Sequence, residues 1–134
     1  MEKPSNVSEY WFNNYYRVIV VKLSNDKKFV SVDVYRDKWL FKDYEEICIS
    51  NNEYCLLYSE VDPLKYNHLF DNILIDKIIV TGVKSNKVFE TINIRWFITG
   101  EIDYNSILKI FQYSWEIIGC KPPLDDPWVH VCID

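Results

Sequence analysis

The chain has 134 residues, 49% hydrophobic and 16% aromatic, enough for one domain with a true core and too apolar for a disordered segment. Its formal charge of −5 disfavours a surface built to hold nucleic-acid phosphates. Only three glycines occur, Gly82, Gly100 and Gly119, each standing alone, so neither a P-loop nor a dinucleotide fingerprint can be assembled.

The first residues, Met1 to Asn6, carry no basic stretch leading into an apolar one, so no signal peptide is readable. Residues 5–14 suit a short helix, with Ser5 or Asn6 as cap and Tyr10 and Trp11 available to dock. Tyr15 to Ser24 reads as a strand, and its aliphatic run Val18 to Val21 is far too short to cross a bilayer. Asn25-Asp26-Lys27-Lys28 has turn composition, and Phe29 to Arg36 alternates, with Val30, Val32 and Val34 on one side. These two strands form a hairpin. Asp37 to Lys42 is ambiguous, with Trp39 and Phe41 compatible with a strand extension.

A second hairpin runs from Tyr44 to Ser50 and from Glu53 to Glu60 around Asn51-Asn52, residues that tolerate the left-handed backbone of a tight turn. Asp62-Pro63 opens a central helix of two or three turns, with Asp as cap and Pro where a missing N–H costs nothing. A third hairpin pairs residues 77–83 with 87–98. In its second strand Val88, Ile92, Ile94, Trp96 and Ile98 share one parity and Thr91, Asn93 and Arg95 the other.

The period then changes. From about Asp103 to Gly119, Leu108, Phe111, Trp115 and Ile118 form an apolar helical stripe opposite Asn105, Lys109, Gln112 and Glu116. Pro122 and Pro123 prevent resumption, and Trp128 to Ile133 alternates as a last strand. Hairpins rather than βαβ crossovers imply an antiparallel sheet. The expected fold is α+β: one domain over residues 1–134, with six or seven largely antiparallel strands. A C-terminal amphipathic helix and a shorter central helix pack on that sheet.

Charge is unevenly spread. Residues 17–42 sum to +4, residues 43–76 to −7, residues 77–97 to +3 and residues 98–134 to −4. The acidic middle third is dotted with Tyr44, Tyr54, Tyr58 and Tyr66. Such a segment suits a basic protein partner, because complementary charge speeds and orients docking. It also suits a soluble domain that wears carboxylates on its strand edges.

Chemistry is hard to find in the rest. Cys48, Cys55, Cys120 and Cys132, without a secretion signal, read as reduced cytosolic thiols. None of their spacings is the close Cys pair of structural zinc, so no metal ligand set is assigned. His68 and His130 are the two imidazoles, and no Cys or Ser near them has a nucleophile context; both read as core or partly buried histidines. Glu45 and Glu46 are neighbours on a strand and so face opposite ways. Asp125 and Asp126 lie in the Pro-rich turn Pro-Pro-Leu-Asp-Asp-Pro-Trp. No catalytic residue and no cofactor is expected.

Small size, net acidity, aromatic richness, expected cytoplasmic location and the lack of catalytic apparatus together resemble bacterial toxin-immunity proteins, including those of contact-dependent growth inhibition. The resemblance is one of profile across the whole chain. It implies a non-enzymatic antitoxin, an inhibitor that covers the active site or substrate surface of one cognate toxin domain. If that toxin is a nuclease, carboxylates would stand in for phosphates in its basic groove. The expected partner-binding residues are Asp43, Glu45, Glu46, Glu53, Glu60 and Asp62, with Tyr44, Tyr54 and Tyr58 as anchors. No direct nucleic-acid, membrane or small-molecule partner is expected. The order of elements also looks like the acidic chaperones of type III secretion, which dimerise and hold an extended segment by strand pairing. A small enzyme built around His68 or His130 is the remaining alternative.

Overall fold

The computed structural model describes residues 7–12, 16–24, 26–36, 45–49, 54–85 and 90–119. Where the sequence alternates, strands form. They are β1 (Val7–Phe12), β2 (Tyr16–Lys22), β3 (Lys27–Arg36), β4 (Glu45–Ile49), β5 (Tyr54–Val61), β6 (Ile73–Ser85) and β7 (Glu90–Gly100). Two helices interrupt and close the series, α1 (Leu64–Asn67) after β5 and α2 (Tyr104–Ile117) after β7. The seven strands make one sheet in the order β1-β2-β3-β7-β6-β5-β4, antiparallel throughout. Two meanders, β1 to β3 and β4 to β7, are therefore joined where β7 pairs with β3. Expected topology and observed topology agree: α+β, with antiparallel hairpins and two helices.

Register decides what each face carries, since residues paired across the ladder point the same way. One row runs Val20, Val30, Trp96, Ile78, and the next Val18, Val32, Ile94, Val80. All eight are buried, and α2 lies over them with Ile107, Ile110, Phe111, Trp115 and Ile118. Trp96 sits at the middle with no exposed surface, its ring meeting the edges of Tyr66 and Phe70. Its indole N–H donates to Ser114 Oγ at 2.9 Å, and that hydroxyl donates to the Ile110 carbonyl one helical turn back at 2.7 Å.

The ends of α2 follow from single residues. Asp103 is extended and its carboxylate accepts the Ser106 N–H at 2.8 Å, which satisfies one of the orphan donors of the first turn. That bond holds the Asp103 carboxyl below the usual carboxylate range. Gly119 takes the positive φ, 83°, that ends the helix. The buried stripe is turned slightly from the expected one: Ile107 and Ile110 are buried, and Leu108 is only partly so. The observed stripe is wider than the expected one, taking in Ile107, Ile110, Ser114 and Ile117 beside Phe111 and Trp115.

Three expectations are corrected. Residues 7–12 form β1 rather than a helix; a six-residue stretch of mixed polar and apolar residues fits either period, and pairing with β2 decides it. α1 is a single turn instead of two or three. Asp62 does accept the Leu64 N–H at 3.0 Å, but the Asn67 side chain then bonds both the N–H (2.6 Å) and the carbonyl (3.2 Å) of Ile75. Those bonds tie the end of α1 to β6, beside the register shift between Ile75 and Lys77. Lastly, Cys48 and Cys55 stand opposite each other in the β4–β5 ladder and are joined by a disulfide, not held as free thiols. Asp37 to Lys42, the C-terminal strand, Cys120, Cys132 and His130 lie outside the described residues. No helix among the described residues is long and apolar enough to cross a membrane.

Candidate partner-binding face

The sheet face away from α2 is where exposed apolar surface collects. Two adjacent ladder rows define it. One runs Asn93, Thr81, Tyr58, Glu45, and the other Thr91, Val83, Leu56, Ile47. Between them lies an open concavity of about 520 Å³ walled by Ile47, Leu56 and Val83, with Tyr58, Thr81, Thr91, Asn93 and Glu45 around it. Ile47 is 64% exposed, Leu56 45% and Val83 40%. Three aliphatic side chains in one row, each open to water, form a contiguous patch rather than scattered surface residues.

Polar groups rim this patch. Tyr58 donates its hydroxyl to Glu60 at 2.7 Å, and Lys77 pairs with the same carboxylate at 3.3 Å. Those hydrogen bonds hold the Glu60 carboxyl below its usual range, and the carboxylate in turn pushes the Tyr58 phenol up. Toward the sheet centre, Asn93 donates to Ser31 at 2.6 Å and to Asp33 at 2.8 Å, while Arg95 donates to the Asn93 oxygen at 3.2 Å and lies over the Phe29 ring. The network fixes Asn93 as a rigid polar boundary to the apolar wall.

The nine residues expected from the sequence divide. Glu45, Tyr54, Tyr58 and Glu60 share the helix-free face. Glu46 pairs with Leu57 and stands on the opposite face, as strand parity requires. Asp62 leaves the sheet altogether, its carboxylate occupied by the Leu64 N–H. Asp43, Tyr44 and Glu53 lie outside the described residues. The described carboxylates thus do not gather into one acidic surface; what gathers is an aliphatic and tyrosine patch with carboxylates at its rim. The sequence reading missed Ile47, Leu56 and Val83. The signal was present in β5, where both parities are apolar, Leu56 and Leu57 being adjacent: a strand that fills the core with one side leaves the other side apolar in water.

Among the described residues, neither an imidazole nor a thiol lines this hollow. His68, expected as a core or partly buried histidine, is exposed at the C-cap of α1. Comparison with protein-family models, with curated proteins and with solved structures returned no match.

Proposed function

We propose that this chain is a non-enzymatic binding protein, most specifically an immunity-type inhibitor that covers a cationic toxin domain with the helix-free face of its sheet. The observation that carries the reading is the exposed row Ile47, Leu56, Val83 flanked by Tyr54 and Tyr58. Aromatic and aliphatic anchors in a shallow hollow are what a protein interface desolvates, and rim charges orient the approach. Glu45 supplies a negative rim charge, whereas Glu60 is already paired with Lys77. Compared with the purely acidic surface that the sequence suggests, this version draws affinity from apolar contact and uses charge for steering.

The test is a binding measurement between the full chain and the C-terminal domain of whatever protein the neighbouring open reading frame encodes. A complex at micromolar or tighter concentration is expected, lost on Leu56→Asp combined with Ile47→Lys and weakened at high salt. No complex with that domain, or a complex indifferent to both substitutions, refutes the reading.

A further inference from the structure

A second cluster lies on the other face of the same hairpin and has no role in partner binding as proposed above. Cys48 and Cys55 occupy directly opposed ladder positions, with Cα atoms 3.9 Å apart. Glu46, two residues before Cys48 on β4, points to the same face, and its Oε1 lies 3.2 Å from Cys48 Sγ. The three ligand atoms fall within 4.8 Å of one another. Cys55 is 5% exposed and anchored in the sheet, whereas Glu46 and Cys48 are open to solvent.

We propose that, once the disulfide is reduced, Glu46, Cys48 and Cys55 form a site for a thiophilic divalent cation of the zinc class. Two thiolates and one carboxylate are three of the four ligands of a tetrahedral zinc site, leaving one position for water. Sulfurs bound to one zinc stand roughly 3.7 Å apart, given Zn–S bonds near 2.3 Å. Opposed cysteines on paired strands reach that separation by turning about their Cα–Cβ bonds, with the backbone ladder left in place. Sulfur donors exclude the hard cations calcium and magnesium.

Oxidation closes the site. A dithiol reductant delivers two electrons and two protons to the Cys48–Cys55 bond, giving two thiols while its own pair becomes a disulfide. The cation then replaces the two thiol protons, which pass to solvent. The disulfide and the metal complex use the same two sulfurs and exclude each other, so cation binding depends on the redox state of this pair.

The test uses the full chain with Cys120→Ser and Cys132→Ser, so that the C-terminal ligands cannot compete. After reduction with dithiothreitol and its anaerobic removal, cadmium is added and its thiolate charge-transfer absorption is followed, with zinc as competitor. One equivalent per chain is expected, with about two protons released. Glu46→Gln is expected to weaken binding by about tenfold, and reoxidation of the same sample to abolish the signal. The oxidised sample is the same polypeptide, so the comparison does not depend on whether Cys48→Ser folds. A reduced sample with no charge-transfer band at micromolar cadmium, or a band that survives reoxidation to the disulfide, overturns the proposal.

Discussion

Ser114 offers the sharpest test of how the helix and sheet are joined. It is fully buried in the middle of α2, and its hydroxyl oxygen accepts the indole N–H of Trp96, also fully buried. Ser114→Ala removes that acceptor and leaves the indole donor facing apolar neighbours, a loss of about 1–3 kcal/mol. Alanine's better helix propensity returns about 0.5 kcal/mol, so the net cost is about 0.5–2.5 kcal/mol. For a chain of this length that lowers Tm by roughly 2–12 °C. A double-mutant cycle isolates the bond. Trp96→Phe removes the donor and opens a cavity, but the cavity is common to both arms and cancels. In the background of Trp96→Phe, the second change Ser114→Ala should cost nothing or stabilise slightly. Urea unfolding followed by far-ultraviolet circular dichroism reads all four proteins. Equal costs of Ser114→Ala in both backgrounds would refute the claim that this hydrogen bond links α2 to β7.

Other outcomes follow from single positions. Gly100→Ala should be strongly destabilising, because Gly100 has φ of 118° and an added Cβ would lie 2.5 Å from the Asn72 carbonyl oxygen; thermal unfolding reads it, and a Tm within about 2 °C of wild type contradicts the geometry. Asp103→Ala should lower Tm at neutral pH. Since the folded Asp103 carboxyl titrates below its unfolded value, its contribution is present above the unfolded pKa and disappears as pH falls through the folded one. The two proteins should converge in acid. Burial first, then the charges of Glu116 and Tyr113, push the Tyr66 phenol up to about 12. Its contribution to stability is therefore complete below pH about 10 and lost as pH rises towards 12. A Tyr66→Phe protein should lose less stability than wild type across that alkaline window.

Periodicity alone revealed most of the architecture. The alternation of Val30, Val32, Val34 and of Ile92, Ile94, Trp96, Ile98 is enough to name the core face of two central strands. The boundaries of α2 followed from Asp103 and Gly119, because helix ends depend on local backbone chemistry that a sequence displays directly. Local pattern could not decide the state of residues 7–12, where a short stretch of mixed polarity fits a helix or a strand and only the partner strand β2 selects between them. Nor could it foretell the end of α1, set by Asn67 reaching across to Ile75. The candidate site is the least legible part. Parity separated Glu45 from Glu46 correctly, but the meeting of Ile47, Leu56 and Val83 in one row depends on the register of three strands. So does the meeting of Cys48 with Cys55, whose six intervening residues match no familiar ligand spacing. Composition and period determined which residues prefer to be buried and in what kind of element. Which of them face each other was decided by strand register and by the single covered face of the sheet, both long-range consequences of packing.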